Sequence, residues 1–163
     1  MRDRALGARV DAVRAFNRFY TRRIGLLRRD YLGSPFSLTQ VRVLYEIAHR
    51  RRATAADLGR DLDLDPGYVS RLLSGFAAGG LIRRTRSPVD RRAHFLALTR
   101  TGRAAFSPLD ARSHREVAAM LRRLPPAGQA RLVASMRTIE TLLARGGPIT
   151  PPVPAAPARR SAR

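Results

Sequence analysis

Apolar residues recur at helical spacing along most of the chain, and that rhythm changes only once. From Leu6 to Tyr31 the positions Leu6, Val10, Val13, Asn17, Tyr20, Ile24, Leu27 and Tyr31 alternate by fours and threes. That spacing predicts one long helix with an a/d-type seam. Phe16, Phe19 and Leu26 widen the apolar surface beyond one stripe. A lone helix cannot cover two faces of itself, so this one calls for a second chain or the C-terminal helices as partner. Gly33-Ser34-Pro35 is the expected stop. Ser37 then offers an N-cap for a second helix, ending near His49, with Leu38, Val41, Leu44, Tyr45 and Ala48 as its inward face.

Thr54 begins a third, short helix, with Asp57 in a capping-box position and Leu58 and Leu62 inward. After the turn Asp63-Leu64, Asp65 is a strong N-cap and Pro66 suits the first helical position of a fourth helix. Val69, Leu72, Leu73 and Phe76 form its core face, and Gly79-Gly80 ends it. The period then switches. Leu81–Thr85 and His94–Leu98 read as two short strands, joined by Arg86–Ala93, a loop of eight with three arginines. Thr99 caps a further helix over Arg100–Leu124, which Ser107-Pro108 would bend or interrupt. Pro125-Pro126 breaks the chain before a last helix with Leu132, Met136, Ile139 and Leu143 on one side. The Pro-, Ala- and Arg-rich stretch after Gly146 is expected to be disordered.

The expected fold class is therefore mainly α with a small β-wing. A short helix, a tight turn and a helix with an exposed polar face follow the helix-turn-helix plan, in which the start of the second helix enters the major groove. Two capped amphipathic helices also occur as plain scaffolding. Gly67 sits near the tip of that second helix. Tyr68, Ser70, Arg71 and Ser74 fall on its polar side, where Arg71 can bond guanine or hold a phosphate. The hairpin weighs toward DNA, because a guanidinium at its tip can enter the narrow minor groove. Asp90 stands two residues before Arg92, close enough to orient it. The competing reading is an ordinary solvated hairpin loop.

Composition narrows the classes. The 163 residues suit one domain, and they include no cysteine, which removes disulfides, thiolate metal sites and thiol redox chemistry. The net charge is +20, and all 32 basic residues are arginine. Such a charge favours polyanions, although it is spread along the whole chain and also suits a uniformly basic, solvated surface. No apolar run approaches a membrane span, and the N-terminus lacks a signal-peptide core. The cytoplasm is the expected location. His49, His94 and His114 are isolated, no nucleophile elbow is present, and Asp61, Asp63 and Asp65 lack the glycine and terminal glutamate of a calcium loop. No enzymatic activity, cofactor or metal is expected.

The ordered set DPGYVSRLL and GGLIRRTRSPVDRRAHFLALTRTGRAAF resembles the MarR family of bacterial transcription regulators. The marks are Ser70-Arg71, the wing entry Gly80-Leu81-Ile82-Arg83-Arg84, the wing tip Asp90-Arg91-Arg92, and Leu98-Thr99. The resemblance implies a MarR-type domain over 5–145, with a winged DNA-binding part at 37–99. Helical dimerisation parts would lie at 5–34 and 100–145, with a tail at 146–163. It also implies a ligand-responsive homodimeric repressor on a pseudo-palindromic operator, with half-sites about 10 bp apart. The candidate DNA contacts are Thr54, Pro66, Gly67, Tyr68, Ser70, Arg71, Ser74, Arg84, Arg86, Asp90, Arg91 and Arg92. A small aromatic anion is the implied effector, with Phe16, Tyr20 and Tyr45 as candidate lining; the same aromatics also suit the core. RAFNRFYTRRIG and GSPFSLTQVRVLYEIAH resemble MarR domains fused to a GNAT acetyltransferase, whose catalytic fold the remaining residues are too few to form. The alternative is thus a remnant of such a fusion, acting only as a DNA-binding or protein-interaction module.

Overall fold

The computed structural model describes residues 2–26, 33–88 and 93–144. Six helices and one hairpin follow in order: α1 (Arg2–Arg23), α2 (Leu38–His49), α3 (Ala55–Asp61), α4 (Pro66–Ala78), β1 (Ile82–Arg86), β2 (His94–Leu98), α5 (Arg100–Leu121) and α6 (Pro126–Ala144). They divide into two units, residues 1–119 and 120–163.

The expected helix over Leu6–Tyr31 is shorter than its seam. α1 stops at Arg23, not at Tyr31, and Gly25 rather than Gly33-Ser34-Pro35 ends it. Gly25 takes φ +74, its N–H donates to the Arg22 carbonyl, and the Leu26 N–H reaches back to Thr21. This is the paired bonding of a Schellman stop, which needs a left-handed residue after the helix. Leu27 and Tyr31 lie outside the described residues. Leu6, Val10, Val13, Phe16 and Phe19 are all exposed, so α1 presents its apolar face without a cover.

In α2 the Ser37 cap forms as expected, completed by Gln40 as a capping box. The expected inward face needs correction. Val43, Leu44 and Ile47 carry the burial with Val41, whereas Leu38, Tyr45 and Ala48 are exposed. The helix is turned so that its β-branched and leucine positions meet the core and Tyr45 looks toward α5, edge-on to Phe106.

One core unites α2, α3, α4, the hairpin and the start of α5, with Leu44, Leu58, Val69, Leu73, Phe76, Ile82, Leu96 and Phe106 at its centre. β1 and β2 pair antiparallel with Ile82 opposite Leu98 and Arg86 opposite His94, one residue later on the first strand than its apolar pattern suggests. Ala53 adds a bridge to Leu96, which ties the residue before the α3 cap to the hairpin.

α5 runs unbroken through Pro108, so the expected interruption is absent, and it ends at Leu121 rather than Leu124. Pro108 removes one helical N–H donor, but Phe106 and Leu109 on either side of it are buried in the core and hold the course. In the second unit α6 starts at Pro126, as expected after Pro125-Pro126, and buries none of its residues. Ile139, Leu142 and Leu143 are exposed along it. The expected tail 146–163 lies outside the described residues.

Candidate nucleic-acid interface

The local chemistry that shapes the α3–turn–α4 unit is short-range. Thr54 caps α3: its hydroxyl accepts from the Asp57 N–H at 3.2 Å and donates to the Asp57 carboxylate at 2.7 Å, while the Thr54 N–H donates to the same carboxylate. α3 ends at Asp61 with Leu62 as its C-cap, and the turn passes through Asp63 at φ +51, with the Leu64 N–H bonded back to Gly59. Asp65 then caps α4 by accepting from the Tyr68 N–H at 2.8 Å, with Pro66 at the first turn. Val69, Leu72, Leu73 and Phe76 are buried, and the opposite face of α4 is left to solvent.

On that free face lie Pro66, Gly67, Tyr68, Ser70, Arg71 and Ser74, all exposed. Gly67 leaves room for its neighbours at the helix tip: a Cβ there would lie 3.2 Å from Asp65 Oδ1 and 3.4 Å from Arg71 Nη1. Arg84 on β1 brings its guanidinium to 3.5 Å from the Ser74 hydroxyl, joining hairpin and helix at one edge. Between α3, α4 and the hairpin runs a groove of about 610 Å³. Thr54, Pro66, Ser70 and Arg84 line it together, over a floor that includes Val69, Leu73 and Leu96. Gly67, Tyr68, Arg71, Ser74 and Arg86 stand outside that lining. Asp90, Arg91 and Arg92, at the tip, lie outside the described residues. Past the paired strands the Ser87 N–H donates to the Ala93 carbonyl at 2.9 Å.

Arg60 and His94 also line the groove and were not among the sequence candidates. Arg60 was recognisable only once the exposed face of α3 was known to turn toward the hairpin. His94 required the strand register.

The arginines near the helix pair differ in their partners. Arg42, Arg50, Arg60 and Arg112 are each ion-paired: Arg42 and Arg50 with Glu46, Arg50 with Asp61, Arg60 with Asp57 and Asp61, and Arg112 with Glu116. Bonding to Thr54 and then to Arg60 holds the Asp57 carboxyl below its ordinary range; Arg50 does the same for Asp61. Glu46 is nearly buried and bonded from both sides, so Arg50 is committed to α2 and α3 rather than to a solvated helix end. By contrast Arg71, Arg83 and Arg84 have no carboxylate within ion-pair distance among the described residues. Of these, Arg71 lies on the free face of α4 and Arg84 is bonded to its Ser74. Arg52 lies over the Phe95 ring, 5.6 Å from its centroid, and braces the hairpin from behind.

The three aromatics proposed to line an effector site do not converge. Phe16 and Tyr20 stack on each other within α1 with centroids 5.6 Å apart. Tyr45 instead stacks on His49 at 4.0 Å, with Arg42 5.3 Å from its ring. Tyr45 lines a small cavity of about 90 Å³ between α2 and α5, together with Arg42, Phe106 and Asp110.

A capped helix pair with an exposed second helix, followed by a hairpin braced against it, is a winged helix-turn-helix. The sequence model of the MarR family matches residues 34–93. Among solved structures, FabT of Streptococcus pneumoniae in complex with DNA superposes with a TM-score of 0.63 at 19% identity, covering 88% of this chain and 95% of FabT. A MarR family transcription regulator superposes with 0.64 at 25% identity, covering 87% of this chain and 89% of its own. BpsR of Bordetella bronchiseptica, whose DNA binding is regulated by 6-hydroxynicotinic acid, superposes with 0.62 at 20% identity, over 78% and 91%. No curated protein sequence matches the chain. The chain is thus similar to the MarR family over residues 34–93 and shares the winged-helix fold of these structures. Among the described residues no helix is long and apolar enough to cross a membrane.

Proposed function

We propose that the protein is a homodimeric repressor that reads a pseudo-palindromic operator with α4 in the major groove and the hairpin tip in the adjacent minor groove. The observation that carries this reading is the exposed polar face of α4, with Arg71 on it and Arg84 bonded to its Ser74, neither guanidinium within ion-pair distance of a carboxylate among the described residues. Guanidiniums beside an exposed polar helix face make a surface suited to phosphates and base edges. In this reading Ser70 and Arg71 reach bases, and Tyr68, Ser74 and the backbone at Pro66 and Gly67 meet the sugar-phosphate chain. Thr54, Arg84 and Arg86 flank it, and Asp90 aims Arg92, beside Arg91, into the minor groove.

A second copy covers the apolar faces that α1 and α6 each expose, since soluble monomers rarely leave such faces open. The parts 5–34 and 100–145 then pair two winged parts at 37–99, and two-fold symmetry sets half-sites about 10 bp apart. A fusion remnant that keeps only the DNA-binding part is the alternative. It shares the arginine face but needs no effector.

Selection from a random duplex library at fixed salt tests the reading. Recovery of an inverted repeat supports it, and binding no tighter than to random duplex overturns it. Arg92→Ala is expected to weaken binding in a salt-dependent way. For the effector, support is confined to Tyr45, whose ring lies beside the exposed guanidinium of Arg42, itself shared with Glu46. The cavity is far smaller than ordinary ligand sites of about 300–1,000 Å³, so the anion must be small. Calorimetric titration with 6-hydroxynicotinic acid, comparing wild type with Tyr45→Ala, tests it; equal heats in both proteins remove Tyr45 from the site.

A further inference from the structure

The joint between α4, β1 and α5 has no slack, and two residues make it so. The Thr99 hydroxyl donates to the Gly80 carbonyl at 2.6 Å and accepts from the Gly102 N–H at 2.9 Å, while the Thr99 N–H donates to the Leu81 carbonyl at 3.0 Å. One side chain thus ties the end of α4 to the first turn of α5. Gly80 and Leu81 are themselves fixed to α4. Gly80 sits at φ +66 with its N–H on Ala77, and the Leu81 N–H donates to Phe76 at 2.8 Å. Gly102 is buried, and a Cβ placed on it would lie 1.9 Å from the Leu81 carbonyl oxygen and 2.8 Å from its carbon. Backbone meets backbone there, so any side chain at 102 must drive α5 away from the chain leaving α4. Real Cβ contacts under 3.0 Å do not occur, so the displacement exceeds an ångström.

We propose that Thr99 and Gly102 are positioning residues for operator recognition, setting the angle between α5 and the recognition helix α4. The candidate base contacts Ser70 and Arg71 lie toward the far end of α4, and Pro66 lies at its tip. A tilt at the joint is carried along a helix about 20 Å long. An ångström at the pivot therefore moves the reading end by a comparable distance, enough to break bidentate geometry to a base. Phosphate contacts tolerate such a shift, because they act through charge. The joint should consequently govern the ratio of specific to non-specific binding rather than binding as such. This inference rests on the DNA-binding reading above.

The test uses the full chain, the duplex that wild type selects from a random library, and a scrambled duplex of equal length, compared by fluorescence anisotropy at one salt concentration. Gly102→Ala is expected to lower the specific-to-scrambled ratio by about tenfold or more, corresponding to about 1.4 kcal/mol, with scrambled binding unchanged. Thr99→Val should act in the same direction, and Thr99→Ser, which keeps the hydroxyl, should restore the wild-type ratio. Leu109→Ala removes a buried α5 side chain away from the joint, and should lower the melting temperature while leaving the ratio intact. If Gly102→Ala does not fold, the Thr99→Val and Thr99→Ser pair decides. Equal ratios in wild type and Thr99→Val, or a loss in Leu109→Ala as large as at the joint, overturn the inference. Failure of wild type itself to select any duplex overturns the DNA-binding reading instead.

Discussion

Arg50, one residue past the end of α2, donates from Nη1 to the carboxylate of Asp61 at the end of α3, while its Nε donates to Glu46 one turn back. Through Arg60, which contacts both Asp61 and Asp57, this pairing continues to the Thr54 cap. A chain of alternating charges therefore runs from the second helix to the start of the helix-turn-helix. It holds α3 at a set position and leaves Arg71 and Arg84 outside the pairing.

The acid limb of stability follows from that chain. Asp57 and Asp61 both titrate below their ordinary value in the folded protein, the first through Thr54 and Arg60, the second through Arg50. The unfolded chain binds protons at these groups first, near pH 4. Their contribution is thus fully present above that pH and is lost as pH falls through the lowered native values. Melting temperature measured from pH 6 to pH 2.5 should decline below about pH 4, and Asp61→Asn should flatten the decline. A variant that melts with the same pH profile as wild type would show that Asp61 carries none of it.

Gly75 sits in the middle of α4 with nothing within 4 Å of where a Cβ would lie. A helix-interior glycine costs about 1 kcal/mol relative to alanine. Gly75→Ala should therefore raise stability by about that amount, or a melting temperature gain of about 2–4 °C at this chain length. Differential scanning calorimetry is the check, and an unchanged or lower value contradicts it.

The turn between α3 and α4 passes through Asp63 in the left-handed region, which Asp tolerates and β-branched residues do not. Asp63→Gly should be neutral or mildly stabilising, whereas Asp63→Val should lose about 1–2 kcal/mol. Urea titration of the two variants distinguishes them by the sign of the difference.

Arg84 and Arg71 should fail differently. Arg84→Ala is expected to weaken binding to all duplexes alike and to reduce the salt slope by about 1, as for a phosphate contact. Arg71→Ala should cost about 1–3 kcal/mol on the selected duplex and relax specificity at one base position. Anisotropy over a salt series separates the two patterns. If both variants match wild type, the DNA-facing surface is elsewhere.

What was legible in the sequence was local. The caps at Ser37, Thr54 and Asp65 bond within three residues, so spacing alone exposes them, and the buried stripe of α4 is bounded by clear stops. Two helices differ from their apolar pattern for different reasons. Seven apolar positions carried the α1 seam past Gly25, although a glycine after Arg22-Arg23 is itself a stop; periodicity was weighed over the cap. In α2 the apolar residues surround the helix, and only packing against α3, α4 and β2 decides that Val43 and Ile47 go inward and Tyr45 does not. The site needed the same long-range information. Arg50 and Asp61 meet from different helices, Arg60 and His94 share a groove across three elements, and Gly102 reads in sequence as nothing more than a weak helix former.

β1 places Arg83, Arg84 and Arg86 outward in succession, opposite Ala97, Leu96 and His94. Because the 163 residues contain no lysine, every side-chain cation along that strand and across the recognition helix is a guanidinium. A guanidinium does not give up its proton at any pH the fold survives, and acyl groups that cap amines leave it untouched. Lysine acetylation, the common means of erasing positive charge, has no side chain to act on within these residues. The electrostatic grip of this surface is therefore set at synthesis, and its strength answers to ionic strength and geometry rather than to amine chemistry.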